Sequence, residues 1–460
     1  MSTSARTDPT PLLILGAGAA GLAVGFYARR AGLPFQVFEA ALEVGGLAAT
    51  VQAGPFRFDL GAHRFHDKAA DVTADVKALL GDRLLRVSGR SHIYLDGRLL
   101  DFPPSPLNLL GRLGPVTLAR SALEMLLARF DSRPVRSFED TAVRSYGRTL
   151  AELLLLRYTA KLWGVDCSRL APDVGGGRLG GLNLRSLLAE AFLGERARAQ
   201  HLDGSFFYPA GGIGELADAL AEACGRERIR TGARATRLLH SGNRVESVEI
   251  DGRERVSAGT VVSTLPLELL VGLLDPPPEP RVREAAASLR FRHLILVACF
   301  VDRSSLTRSA TVYFPEPEIV FTRLYEPRNR SPRMSPEGQT SLVAEIPCSD
   351  GDALWTGSDD EVGALARRQM EALGFFRSEE VLGLRVVRLP RAYPVVDMGT
   401  EGRLATIQAS LARLGNLRLS GRSGRFHYTW VHVLMRWGRE LVDELADALP
   451  SPPRPVTPSD

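Results

Sequence analysis

Three glycines and one glutamate are spaced as in a dinucleotide-binding site. Gly16, Gly18 and Gly21 directly follow the apolar run 12–15, and Glu39 comes 18 residues after Gly21. The first glycine permits a tight turn, the second lets backbone approach a pyrophosphate, and the third lets a helix pack closely on a strand. The N-terminus of that helix attracts phosphate charge, and an acid about 20 residues further on can accept hydrogen bonds from ribose hydroxyls.

Histidines and aromatic residues supply the candidates for catalysis. His63 and His66 lie three residues apart in a polar segment, and His432 and Trp163 stand in aromatic-rich segments further along the chain. Imidazole titrates near neutral pH, which suits general acid–base chemistry. We predict His63, His66, Trp163 and His432 as the residues closest to the reaction, with Trp163 as a wall of the pocket.

A β-α-β unit must position the glycines. Residues 12–15 and 35–38 are short apolar runs typical of buried parallel strands, and the stretch 22–31 between them predicts a helix that ends before Gly32. The motif therefore has the strand, helix, second strand and acid that a dinucleotide fold requires.

Composition excludes several classes of protein. The chain has 460 residues, a formal net charge of +4 and 45% hydrophobic residues, so we predict a globular protein without a nucleic-acid-binding face. Its four cysteines are far apart, which predicts no disulfide framework, no metal site and a cytoplasmic location. No apolar run is long enough to span a bilayer, and residues 1–11 lack the features of a signal peptide.

The order of patterns predicts a discontinuous cofactor domain. Strand and helix signals typical of nucleotide binding occupy 1–89, 205–270 and 399–449, whereas a helical block (90–204) and a sheet-rich block (271–398) separate them. We therefore predict an α/β fold in which an α+β substrate domain is inserted into the first domain. Residues 450–460 are expected to form a disordered tail.

A second glycine pair identifies the dinucleotide. Gly45 and Gly46 follow Glu39 closely, an arrangement similar to the extended FAD fingerprint of glutathione-reductase-like flavoproteins with their Rossmann-type domain. The resemblance implies that FAD is the cofactor and that the glycine pair runs close to its diphosphate.

Further segments resemble the FAD-dependent amine-oxidase and protoporphyrinogen-oxidase superfamily, with motifs similar to those of UDP-galactopyranose mutases. These segments are 59–66, 157–164, 207–212, 262–266 and 419–422, and they occur in the same order along nearly the whole chain. The resemblance implies that the loop around His63 lies against the flavin and that the last helix directs its N-terminus at the N1/O2 edge. The complete set of predicted cofactor-binding residues is Gly16, Gly18, Ala20, Gly21, Glu39, Gly45, Gly46, Gly61, His63, Arg64, Ala235, Gly421, Arg422 and Val431.

Three functions remain compatible with the sequence. The first is an oxidoreductase that transfers hydride from a small organic substrate to flavin N5, with reoxidation by oxygen or another acceptor. The second is a sugar-nucleotide mutase, which would need arginines such as Arg178 and Arg185 to hold a diphosphate. The third is a protein that FAD merely stabilises. The middle sheet resembles bacterial FAD-dependent oxidoreductases, so we favour the first, with a small-molecule substrate and a homodimer as a possible assembly.

Overall fold

The computed structural model describes residues 11–102, 106–128, 130, 132–172, 174 and 205–448. The chain is a mixed α/β protein whose layers are built on three larger sheets. The predicted tail and the candidate diphosphate arginines Arg178 and Arg185 lie outside the described residues.

A five-stranded parallel sheet carries the glycine motif. Its strand order is β20-β13-β1-β2-β9, and every neighbouring pair is parallel. β1 is fully buried, as expected of a central strand covered on both faces. The strands are β1 (Leu12–Leu15), β2 (Phe35–Phe38), β9 (Ile229–Arg230), β13 (Thr260–Ser263) and β20 (Leu417–Leu419).

A seven-stranded mixed sheet forms the second large layer, in the order β19-β15-β18-β17-β16-β6-β7. An Asp-Gly pair between apolar runs predicts a two-residue hairpin turn at Asp96–Gly97. The structure confirms it: the turn joins β6 to β7, and both turn residues have positive φ. The strands are β6 (Ser91–Leu95), β7 (Arg98–Phe102), β15 (Phe291–Val301), β16 (Thr311–Tyr313), β17 (Arg323–Tyr325), β18 (Thr340–Cys348) and β19 (Val381–Pro394).

Smaller sheets complete the strand inventory of the described residues. A four-stranded sheet has the order β12-β11-β10-β14, and two strand pairs, β3-β4 and β5-β8, lie apart from it. The strands are β3 (Thr50–Ala53), β4 (Phe56–Asp59), β5 (Leu84–Ser88), β8 (Ser205–Pro209), β10 (Ala235–Ser241), β11 (Arg244–Ile250), β12 (Glu254–Ser257) and β14 (Leu274–Asp275).

Helices cover the sheets. The first helix begins at Ala19, three residues before the predicted start, because the turn at Gly18 already leads into it. The described helices are α1 (Ala19–Arg30), α2 (Ala70–Leu80), α3 (Pro106–Ala128), α4 (Phe138–Ala151), α5 (Arg157–Trp163), α6 (Gly214–Cys224), α7 (Leu267–Leu273), α8 (Pro280–Ala287), α9 (Ala353–Thr356), α10 (Asp359–Ala372), α11 (Thr400–Leu411) and α12 (Val431–Asp447).

A π-helical turn, Glu152–Leu156, joins α4 to α5. Such turns are rare and frequently occur at functional sites. Here Leu154 and Leu155 of the turn line a cavity that Gly61 and His63 also line.

Candidate active site

The first glycine loop can contain only glycine at two positions. Gly16 has φ +101°, and a Cβ atom there would lie 2.3 Å from Thr264 Oγ1. A Cβ on Gly21 would lie 1.9 Å from the carbonyl oxygen of Gly16. Both positions therefore exclude a side chain for steric reasons, and the loop turns tightly enough for α1 to start against β1.

The glycine pair after β2 packs on this first loop. Gly45 donates its N–H to the carbonyl of Ala17 at 2.9 Å, and a Cβ on Gly46 would lie 3.2 Å from the Cα of Gly18. The two glycine loops thus meet backbone to backbone. Together they form a cradle without side chains, as close approach to a diphosphate requires.

Residues from the C-terminal part of the chain complete the cradle. Gly421 has φ +85°, and a Cβ there would come 3.3 Å from the Cβ of Ala20. The segment after β20 therefore lies against the start of α1, which brings predicted residues 400 positions apart in sequence into contact.

Glu39 lies at the carboxyl end of β2. Its carboxylate accepts hydrogen bonds from the N–H groups of Ala17 (2.7 Å) and Ala41 (2.8 Å), so it is fixed next to the glycine loop. Ala235, in contrast, lies on β10 and packs against the core formed by residues such as Leu13 and Phe38. Its contact with a cofactor remains a prediction.

A buried aspartate, which the sequence did not single out, organises the segment before His63. Asp59 is fully buried and accepts hydrogen bonds from Tyr208 Oη (2.6 Å), Thr50 Oγ1 (2.7 Å) and the N–H of Ile213 (3.0 Å). Burial raises the pKa of the Asp59 carboxyl, and its hydrogen bonds oppose that rise. Asp59 thereby joins β3, β4 and β8 at one point.

The loop that carries His63 depends on a second buried acid. Gly61 has φ +120°, and the following N–H, that of Ala62, donates to Glu345 Oε1 at 2.7 Å. The same carboxylate pairs with Arg323. Glu345 is the only charged residue of strand β18, which is buried along its whole length. A single acid in such a strand was the signal by which the sequence could have identified it.

A cavity of about 300 Å³ lies beside this loop. The structure brings seven of the predicted site residues to its wall: Gly61, His63, Arg64, His66, Trp163, Arg422 and Val431, the last at the start of α12. Apolar residues make up much of the remaining wall, namely Leu47, Leu60, Ala62, Ile93, Phe102, Phe138, Leu154, Leu155, Leu162, Val174, Leu294, Pro315 and Ala392.

Aromatic rings and guanidinium groups form one side of the cavity. Arg422 stacks over Tyr393 and Tyr428 and donates to the carbonyl of Thr429 at 2.8 Å. Trp163 meets the same two tyrosines edge-on, with ring centroids 6.2 and 5.8 Å away. The predicted role of Trp163 in the pocket wall thus matches its position, although its function is untested.

His432 lies next to the cavity and does not line it. It occupies the first turn of α12, where its ring stacks on Trp430 with a centroid distance of 6.0 Å and an interplanar angle of 13°. Its ring also approaches that of His66, with centroids 6.3 Å apart. Burial, with Lys68 and Arg436 nearby, lowers the pKa of His432 to about 4.

His63 is held in its neutral form. Its Nε2 lies 2.8 Å from the carbonyl oxygen of Leu47, and burial together with Arg422 lowers its pKa to about 3. Because Nε2 faces an acceptor, the neutral ring donates there. The hydrogen bond to Leu47 holds the loop, and proton transfer by His63 stays a prediction.

The depressed pKa of His63 predicts a dependence of stability on pH. The unfolded chain protonates His63 below about pH 6.5, whereas the folded protein does so only near pH 3, so the contribution to stability is present above pH 6.5 and is lost as pH falls. The loss should amount to about 1–2 kcal/mol by pH 5. We expect the free energy of unfolding, measured with urea, to fall more between pH 7 and pH 5 for wild type than for His63→Gln. The same fall for both proteins would contradict this prediction.

Two surveys of the described residues bear on the class of site. No helix among them is long and apolar enough to cross a membrane. Within the same ranges, no group of three or more histidine, cysteine, aspartate or glutamate side chains is arranged to hold a metal ion.

The chain belongs to the family of flavin-containing amine oxidoreductases, whose model matches residues 19–432. It is therefore a flavoprotein of an oxidoreductase family, and FAD, predicted from the glycine loops, is its cofactor.

Individual relatives differ in their activities. Over 437 residues the chain is 26% identical to a phytoene dehydrogenase from Streptomyces griseus, with 81% of each chain covered. It is 23% identical over 423 residues to a zeta-carotene-forming phytoene desaturase from Myxococcus xanthus, covering 81% of this chain and 79% of that one. Its fold is similar to that of reduced UDP-galactopyranose mutase, with a TM-score of 0.83, 20% identity and 96% of each chain covered.

Proposed function

We propose that the protein oxidises an uncharged, largely apolar organic substrate, with FAD bound across the three contacting glycine segments. The parallel sheet and the glycine cradle support a Rossmann-type domain of the glutathione-reductase-like kind, discontinuous in sequence as predicted. The bound FAD supplies the redox chemistry by accepting a hydride from a substrate C–H bond.

The charge of the cavity wall is the observation that carries this proposal. Arg64, Lys68, Arg323 and Arg422 line the cavity, and no aspartate or glutamate does so among the residues that the structure describes. An ammonium substrate would lose its hydration there without gaining a lining counter-ion, and Arg64, Lys68 and Arg422 would repel it, whereas the charge of Arg323 is already paired with Glu345. A neutral substrate packed on the apolar wall incurs neither penalty.

The names of two relatives agree with an apolar substrate. Both proteins are named for phytoene, as a dehydrogenase and as a desaturase. A cavity of about 300 Å³ is at the lower end of ligand-pocket volumes, and predicted flavin contacts such as His63 and Arg422 share its wall, so the space beside the flavin suits a small substrate or one segment of a longer chain.

The chain's own residues hold the cofactor and shape its surroundings in this proposal. Glu39 holds the ribose end, and the cradle of Gly16, Gly18 and Gly46 receives the diphosphate. His63 fixes its loop beside the cavity by donating to Leu47. Because α12 begins at Val431 on the cavity wall, the positive end of its dipole favours negative charge at that place.

Anaerobic titration of the purified holoprotein tests the proposal. Uncharged apolar donors with activated C–H bonds should bleach the visible flavin absorption, and primary amines of similar size should not. Bleaching by amines alone would overturn the proposed substrate class. Turnover of a nucleotide-sugar only after dithionite reduction would replace the proposal by the mutase alternative, and a protein inert in all three assays would support a role without catalysis.

Glu39→Gln is expected to weaken FAD binding roughly tenfold or more. The amide keeps the size of the side chain but directs an NH2 group at one of two backbone donors, Ala17 or Ala41, and removes the charge that ribose hydroxyls would meet. Fluorescence titration of apoprotein with FAD measures the change. Glu43→Gln, an exposed acid four residues later, is the matched control and should bind FAD as wild type does. Equal affinities for both variants would remove Glu39 from the cofactor site.

Several further predictions stay proposals. They are the domain boundaries, the cytoplasmic location, reoxidation by oxygen or another acceptor, and a possible homodimer. The site assignments of His66, Trp163, His432 and Ala235 also stay proposals until variants are measured.

A further inference from the structure

Exposed apolar side chains concentrate on one short stretch of the chain. Of the twelve large apolar residues that are exposed among the described residues, six fall within residues 116–135. They are Val116, Leu123, Leu126, Leu127, Phe130 and Val135, and Val116 and Phe130 are each 80% exposed. Single exposed apolar residues are ordinary, but a contiguous group of them marks an interaction surface.

The outer face of α3 carries most of this group. Beyond the interruption at Gly114, the helical period places Val116, Leu123 and Leu127 on one face, and Phe130 follows just past the helix end. We call these four residues the apolar ridge. The opposite face of the helix is buried at Ser121 and Met125. Helix α3 thus has apolar side chains on the face towards the protein and also on the face towards solvent. A helix whose outer face contacts only water carries polar residues there.

The inner face of α3 lies over the cavity wall. Leu113 and Leu118 pack with Leu154 against the buried pair Leu95 and Leu100 of the β6–β7 hairpin. Leu154 itself lines the cavity, as do Ile93 and Phe102 of the same hairpin. The apolar ridge therefore covers the outside of a wall whose inside faces the proposed substrate site.

The stretch around the apolar ridge is positively charged. Residues 106–136 contain five arginines (Arg112, Arg120, Arg129, Arg133 and Arg136) and two acids (Glu124 and Asp131), which is a net charge of +3. Glu124 accepts from the N–H of Thr149 at 2.7 Å, from Thr149 Oγ1 at 2.9 Å and from Arg120 Nε at 2.9 Å. Arg120 is thus paired, and the excess positive charge of the stretch comes from its other four arginines.

We propose that the apolar ridge docks onto the surface of an anionic phospholipid bilayer, with α3 lying in the plane of the interface. Apolar side chains between arginines match a layer of acyl chains beneath negative headgroups. Self-association is the less favourable alternative, because a second copy would bring two positively charged faces together. Docking places the cavity wall next to the lipid phase, from which an apolar substrate partitions.

Vesicle flotation of the purified holoprotein without substrate tests the docking. The probe is vesicles of phosphatidylcholine and phosphatidylglycerol in equal parts, compared with phosphatidylcholine alone. Wild type should float with the anionic vesicles, and Leu123→Gln/Leu127→Gln should reduce the floating fraction roughly tenfold. The matched control Leu42→Gln/Leu382→Gln alters two exposed leucines away from the ridge and should float as wild type does.

A site-specific probe tests the docking independently of whether the double leucine variant folds. The four native cysteines are buried, so Phe130→Cys introduces one exposed thiol for a polarity-sensitive dye. Its emission should shift to the blue on addition of anionic vesicles. Absence of flotation and of the shift would overturn the proposal. The proposal would also be overturned if wild type sediments as a dimer and Leu123→Gln/Leu127→Gln as a monomer, because the apolar ridge would then be a contact between copies. Neither flotation nor dye emission involves turnover, so both results are independent of the proposed reaction.

Discussion

Gly21→Ala is expected to yield a protein that retains no FAD through purification. A Cβ atom at residue 21 would lie 1.9 Å from the carbonyl oxygen of Gly16 and 3.3 Å from Ile14 Cγ2, and neither backbone nor buried strand can move aside cheaply. The start of α1 must then shift away from β1, which removes the close approach that a diphosphate needs. The ratio of flavin absorption to protein absorption measures the loss directly.

A second glycine provides the control for this substitution. Gly402 lies in helix α11, where a Cβ would meet nothing within 4 Å. Gly402→Ala should retain the wild-type flavin content and gain up to about 1 kcal/mol of stability, because alanine is the better helix former. Retention of flavin by Gly21→Ala would refute the placement of the diphosphate at this turn.

Glu345→Leu is expected to lower the free energy of unfolding by about 3–5 kcal/mol. Glu345 is almost fully buried, pairs with Arg323 and accepts the N–H of Ala62. Removal of the carboxylate leaves the guanidinium of Arg323 without a counter-charge and the N–H of Ala62 without an acceptor in the interior, and removal of one member of a buried pair is costly for this reason. Urea unfolding of the holoprotein measures the change.

The double variant Arg323→Leu/Glu345→Leu distinguishes the ion pair from general damage. It removes both charges, so part of the lost stability should return, although Ala62 still lacks its acceptor and Tyr393 loses the hydrogen bond from Arg323. A double variant that is less stable than Glu345→Leu alone would show that the pair is not the source of the effect.

Local patterns in the sequence predicted the parts of the fold that depend on neighbouring residues. The β-α-β unit, the hairpin at Asp96–Gly97 and the final helix all appear in the structure, because period, turn residues and glycine stops act over a few positions. Family motifs likewise led to the FAD cofactor. The helix at Ala19 began earlier than predicted because small residues carry little signal of where a turn ends.

Buried polar residues escaped prediction. Asp59 is only the first residue of the segment 59–66 in the sequence prediction, and Glu345 was not predicted. Their importance follows from partners such as Tyr208, 149 positions away from Asp59, and Ala62, 283 positions away from Glu345. Spacing along the chain contains no information on such pairs.

The sequence by itself predicted FAD, which the family match confirms, and a glycine turn to hold it, because the requirement for glycine at residue 21 is local: a Cβ there would meet the carbonyl oxygen of Gly16. Only the tertiary structure decided the character of the pocket. Arg64 and Lys68 lie in one segment, Arg323 and Arg422 come from two others, and their convergence without a lining acid among the described residues is what favours a neutral substrate. The energies of charge interaction and desolvation depend on distances through space. Folding sets those distances, and the order of residues along the chain does not reveal them.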